Sequence, residues 1–168
     1  MDTISKGNVE DLGCRYRKYQ KNVEIGGKAI IIFGVWSIIK FIASVLLGQQ
    51  SLRDLLGIDP NYPEQFMFVL VVIMIVLLAL TMVWHAYIGV SAIKYAQGLK
   101  KSRFFLVWAA LMLVVTVCSI PGYFDPSNNP ESLDTVIVSV LVDLSMSFSL
   151  LDMIYSSFMM TRIKRQMG

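Results

Sequence analysis

Four apolar stretches, each long enough to cross a lipid bilayer as a helix, constrain this chain more than any other feature. They run over residues 29–48, 66–93, 104–120 and 135–160. A hydrocarbon core of about 30 Å needs about 20 helical residues at a rise of about 1.5 Å each. The first two stretches reach that length, the third lies near its lower limit, and the fourth is long enough to span with tilt. Strands of a membrane barrel would alternate apolar and polar residues in short segments, whereas these runs are continuous. With 55% hydrophobic and only 16% charged residues, the composition is far from that of a soluble domain. The expected fold is an all-α integral membrane protein with four transmembrane helices.

Charge placement predicts the orientation. Thirteen of the fifteen Lys and Arg residues fall before the first stretch, between the second and third, or after the fourth. The other two loops carry Arg53 alone, beside Asp54, Asp59, Glu64, Asp125, Glu131 and Asp134. By the positive-inside rule both termini face the cytoplasm, and the expected location is the cell membrane. The chain then divides into an arm (1–28), a transmembrane domain (29–160) and a basic tail (161–168). The arm lacks the apolar core of a secretory signal, so the first span is expected to act as an uncleaved anchor.

Within the arm, Leu12, Tyr16, Tyr19 and Val23 recur at helical spacing among Arg15, Lys18 and Lys21. Tyrosine suits the headgroup layer and basic residues meet anionic lipid there. The expectation is a short interfacial helix, with membrane lipid and not nucleic acid as its partner. Both outer loops carry turn signals: Asp59-Pro60 and Tyr62-Pro63 after a possible interfacial turn at Leu52, Leu55 and Leu56, then Pro121-Gly122 and Asp125-Pro126. Gly98 is expected to end the second span and open a tight hairpin to the third.

Chemical signatures are missing from the sequence. It contains no phosphate-cradling Gly-x-x-x-x-Gly-Lys, no His-Glu-x-x-His and no Gly-x-Ser-x-Gly. One histidine rules out a multi-histidine metal site within the chain, and Cys14 and Cys118 fall on opposite sides of the bilayer. Cys118 reads as a small buried apolar residue. No enzyme activity, cofactor or metal is expected.

What remains is the set of charges inside the apolar stretches. A central charge costs about 2.5–3.5 kcal/mol, against about 0.3–0.6 gained per large aliphatic residue. Lys40 lies about 18 Å along the first span from its inner side, and Asp143 about 13 Å along the fourth from its outer side. Their depths nearly coincide, so a buried pair is one expectation, within one chain or between chains. Snorkelling of Lys40 is the alternative, although the lean of helical side chains sends its stem across the longer half of the membrane. His85 and Asp152 both fall near the inner boundary and form a second possible couple. The favoured alternative puts His85 in an aromatic belt with Trp84 and Tyr87, and Asp152 in contact with water.

The fourth stretch carries two polar stripes, Ser139-Asp143-Ser147 and Ser145-Ser149-Asp152-Ser156, on roughly opposite faces. Such a helix needs neighbours on both sides, and small polar residues permit close approach and inter-helix hydrogen bonds. The expected function is that of a non-enzymatic oligomeric or accessory membrane subunit, associating with itself or with another membrane protein. The alternative is a small proton- or cation-coupled transporter or channel subunit. There the fourth helix lines a path marked by Lys40, His85, Asp143, Asp152, Ser139, Ser147 and Ser149.

Overall fold

The computed structural model describes residues 2–47, 64–99, 102–124 and 133–167, with side chains over 10–39, 42, 68–99, 102–122, 124 and 136–167. The described residues form four α-helices: α1 (Asp2–Leu47), α2 (Glu64–Ala96), α3 (Phe104–Ser119) and α4 (Leu133–Met167). Each contains a stretch long and apolar enough to cross a membrane. Residues 48–63 and 125–132, with Leu52, Leu55, Leu56, Asp59-Pro60, Tyr62-Pro63 and Asp125-Pro126, and the side chain of Lys40, lie outside the described residues.

Antiparallel contacts set the arrangement. Gln20 Nε2 of α1 donates to the Ala96 carbonyl of α2 at 2.7 Å, and further along α1 Gly34 lies under His85. Gly26 stands against Met153 of α4, and the Tyr19 and Tyr155 rings meet edge-to-face at 6.2 Å. Helix α1 therefore packs on both α2 and α4. Helix α3 packs on α4, and reaches α2 through Trp84–Trp108 and Tyr95–Phe105, with ring centroids 5.7 and 5.5 Å apart. Both chain termini and the α2–α3 connection lie at one end of the bundle.

That connection forms as its glycine predicts. Gly98 takes φ +75°, a left-handed conformation that a side chain disfavours. The Gly98 N–H donates to Tyr95 O at 3.1 Å and the Leu99 N–H to Lys94 O at 2.9 Å, the paired bonds of a glycine-terminated helix end. At its other end α3 stops at Ser119 and passes into a 3-10 turn, Ile120–Phe124, which contains Pro121.

The segment around Leu12–Val23 is helical, but it is the beginning of one unbroken 46-residue helix. At 1.5 Å per residue α1 is about 69 Å long, more than twice the thickness of a hydrocarbon core. Among the described residues, the part of α1 that qualifies as a span includes Glu10–Ile39, which reaches into the charged arm. With Lys18, Lys21, Glu24 and Lys28 in that arm, the costs of burying charge place the apolar part from residue 29 onward. The expected aromatic face also meets protein: Tyr16 and Tyr19 pack against the core, and Val23 is fully buried.

The buried core comprises Val23, Ile30, Ile88, Ala92, Phe105, Ala109, Leu150 and Met153 among others. Along α2, by contrast, Phe68, Val69, Val72, Ile73, Ile75, Val76, Leu77, Leu80 and Val83 are all exposed. Continuous apolar surface on this scale is foreign to a soluble monomer and suits a lipid surround. Outward hydroxyls are neutralised locally. Ser37, Thr81 and Ser145 each donate to the carbonyl four residues back, at 2.9, 2.9 and 2.8 Å, which satisfies these three hydroxyl hydrogens without solvent.

Candidate functional site

Glycine builds the middle of the bundle. A Cβ on Gly27 would lie 2.8 Å from the Gly89 carbonyl, and one on Gly89 would lie 2.5 Å from the Gly27 carbonyl. The α1 and α2 backbones therefore touch, as small residues allow between membrane helices. Seven residues further along the same face of α1, a Cβ on Gly34 would lie 2.7 Å from His85 Cβ. The His85 side chain rests on bare α1 backbone, a position that any larger residue at 34 would occupy.

His85 is only 5% exposed. It sits in the α1–α2 crossing and not in an outward aromatic belt; its neighbour Trp84 turns to Trp108, while Tyr87 is exposed. The His85 Nδ1 atom lies 2.8 Å from the Thr81 carbonyl oxygen. A carbonyl only accepts, so Nδ1 carries the hydrogen and the neutral ring presents Nε2 as a bare lone pair. Among the described residues that Nε2 is buried without a hydrogen-bond partner, as is Trp84 Nε1. The structure does not join His85 to Asp152, which is exposed and accepts a 3.4 Å hydrogen bond from Ser156 Oγ.

The first polar stripe of α4 faces inward: Ser139 and Ser147 are buried and Asp143 is half-buried. The Ser147 hydroxyl donates to the Asp143 carbonyl at 2.8 Å. The second stripe starts outward, with Ser145 and Asp152 exposed and Ser149 half-buried, and then turns in at the fully buried Ser156. Residues spaced by seven drift about 20° around a straight helix, which helps carry this stripe toward the core.

Register adds a relation that depth counting missed. A Cβ on Gly26 would lie 2.9 Å from Met153 Cβ and 3.5 Å from the Ser149 carbonyl. Eight residues on from Gly26 is Gly34, and eight residues back from the middle of that contact is Asp143. Asp143 is therefore level with Gly34 and His85, about 9 Å along the axis from the Lys40 backbone at 1.5 Å per residue. The two depths differ more than the separate counts implied, because α4 runs deeper toward the terminal end than its apolar limits suggest.

Several residues were not legible as parts of this site. Gly27, Gly34 and Gly89 carry the close approach, and their only sequence signal is the seven-residue spacing of the first two. Ser91, Ser157 and Thr116 are buried too. Cys118 points outward, contrary to its expected burial, and neither it nor Cys14 is in a disulfide. Of the basic and aromatic arm, Arg15, Lys18 and Lys21 are exposed, and Arg15 forms a 3.2 Å ion pair with Asp11. Among the described residues, no three His, Cys, Asp or Glu side chains gather as a metal site requires. Comparison with protein-family models, curated proteins and solved structures finds no match for this chain.

Proposed function

We propose that this chain is a multi-pass protein of the cell membrane, with both termini cytoplasmic, acting as a non-enzymatic oligomeric or accessory subunit. The orientation is supported by the basic residues at the terminal end of the bundle, where exposed Arg15, Lys18 and Lys21 are available to anionic headgroups. One observation carries the functional reading. Helix α4 uses one polar stripe inside its own bundle and still presents Ser145, Ser149 and Asp152 toward its outer side. In an apolar surround such a face gains by meeting another helix, at about 0.6–2 kcal/mol per inter-helix hydrogen bond.

The test is a subunit count in lipid by single-molecule photobleaching. The parent chain is expected to form a defined oligomer, or to do so with a membrane partner. Replacing Ser145, Ser149 and Asp152 together with Leu should weaken the assembly at least about tenfold, equivalent to about 1.4 kcal/mol. Equal assembly by the parent and the triple variant would remove the reading.

A second reading is favoured by one specific observation: Ser139, Ser147, Asp143 and His85 put polar groups in the bundle interior. Intramembrane ionisable groups mark ion or proton pathways by default. Under this reading the chain is a small proton- or cation-coupled transporter or channel subunit. Flux in reconstituted liposomes that Asp143→Asn abolishes, with folding retained, would establish it over the first.

A further inference from the structure

We propose that the outer face of α4 docks on the outer face of α1 in a second copy of this chain, with Asp152 held between Lys21 and Lys28 of that copy. The inference rests on the assembly reading above, and it names the partner and the surface the partner presents. It starts from two exposed seams of identical spacing. On α4, Leu141, Ser145, Phe148, Asp152 and Tyr155 follow at intervals of four, three, four and three residues, and all five are exposed. On α1, Lys21, Ile25, Lys28, Ile32 and Val35 follow at the same intervals and are exposed too. Alternating steps of four and three keep side chains in one line along a helix, the repeat by which two helices pack lengthwise. The residues that join α1 to α4 inside the bundle, Gly26 and Met153, fall on neither seam.

Register matches the two seams. Within one chain α1 and α4 run antiparallel, and a Cβ on Gly26 would lie 2.9 Å from Met153 Cβ and 3.5 Å from the Ser149 carbonyl. Copies related by an axis along the membrane normal share these levels, so α4 of one copy also meets α1 of the next antiparallel. Counted from that contact, and to within one residue, Tyr155 is level with Lys21, Asp152 with Ile25 and Phe148 with Lys28. By the same count Ser145 is level with Ile32 and Leu141 with Val35.

The chemistry at these levels is complementary. Leu141 meets Val35 in the apolar layer, while the ammonium groups of Lys28 and Lys21 meet the rings of Phe148 and Tyr155. Asp152 lies about 4.5 Å along the axis from Lys28 and about 6 Å from Lys21, at about 1.5 Å per residue. The lean of helical side chains toward each helix N-terminus brings Asp152 and Lys28 together. Lys28 donates to Glu24 at 2.6 Å, which leaves its ammonium two more N–H groups. Asp152 accepts a 3.4 Å bond from Ser156, and a carboxylate has room for further donors. Among the described residues, the two ion pairs include neither Asp152 nor Lys21. An α4–α4 contact between copies would run parallel and set Asp152 against Asp152, a repulsive arrangement. The chain thus carries its own complement at the matching depth, which selects a second copy as the occupant.

Cross-linking tests the contact. In a background lacking Cys14 and Cys118, Leu141→Cys and Val35→Cys are placed in two differently tagged copies and oxidised in the membrane. A disulfide needs Cβ atoms about 3.5–4.5 Å apart, so product joining the two tags is expected from this combination. Little is expected when both copies carry Leu141→Cys, or when Leu141→Cys is combined with Val76→Cys on the exposed face of α2. Adding Asp152→Lys should reduce the joined product several-fold, and Lys21→Glu in the same chain should recover part of it. Photobleaching of the same samples separates this contact from the reading beneath it. An oligomer in which Leu141→Cys and Val35→Cys do not join, or in which two Leu141→Cys copies join equally well, overturns the contact and leaves the assembly reading standing. A monomer overturns both. Undiminished joining with Asp152→Lys also overturns the proposal, because the charge match would then not select the partner.

Discussion

Gly89→Ala is expected to destabilise the folded chain, although alanine is the better helix former by about 1 kcal/mol. The new methyl group would stand 2.5 Å from the Gly27 carbonyl and from Ile31 Cγ1. Backbone cannot rotate away as a side chain can, so α1 and α2 must separate along the whole crossing. Overpacking of a filled interior costs about 1–3 kcal/mol, and Gly89→Leu should exceed that range and deplete folded protein. Gly27→Ala meets the same carbonyl contact in reverse, at 2.8 Å. The control is Gly13→Ala on α1, where a Cβ meets nothing within 4 Å and the propensity gain should appear alone. Thermal midpoint and the monodisperse fraction in detergent report both. Gly89→Ala and Gly13→Ala of equal stability would show that the close crossing is not formed.

The second large effect concerns Lys40 and Asp143, which are proposed to share a buried pairing. Removing one partner of such a pair costs about 3–5 kcal/mol in soluble proteins; snorkelling and water defects soften that cost in a membrane. Lys40→Ala and Asp143→Ala should each lower the yield and thermal midpoint of the solubilised protein. Changing both to apolar residues should restore much of the loss, and exchanging the charges should restore part of it. The register sets the pair about 9 Å apart along the helix axes, a gap that the lean of side chains toward each helix N-terminus narrows from both sides. Additive losses in the double variant would mean that the two charges act independently.

These predictions draw on different layers of the chain. The four helices and the Gly98 hairpin were readable because length, apolarity and glycine chemistry act locally. Sidedness was not, since a helix that is apolar all round gives no periodic signal of which face meets protein and which meets lipid. That is why Cys118 was expected inside and lies outside, and why α2 presents a long run of exposed Val, Ile and Leu. Only the polar exceptions carried facing information. The spacing of Ser139, Asp143 and Ser147 identified a stripe that the structure turns inward.

The arm shows a different limit. Its change from charged to apolar residues near position 28 reads as a structural boundary, yet the backbone of α1 continues through it. Composition sets what surrounds a helix, and the hydrogen-bond ladder continues regardless. Gly26 and Gly27, just before that change, lie in close contact with α4 and α2 respectively. His85 was equally opaque. Its burial depends on an absent side chain at Gly34, fifty-one residues earlier in the chain.

Every depth and every partner proposed above depends on the orientation in the membrane, and thiol labelling in intact cells tests it most directly. In a background lacking Cys14 and Cys118, Ser51→Cys and Ser127→Cys should each react with a membrane-impermeant maleimide on intact cells. Ser102→Cys, in the α2–α3 connection, should react only after permeabilisation. Labelling of Ser102→Cys in intact cells would contradict four spans with both termini cytoplasmic, together with the depths built on them.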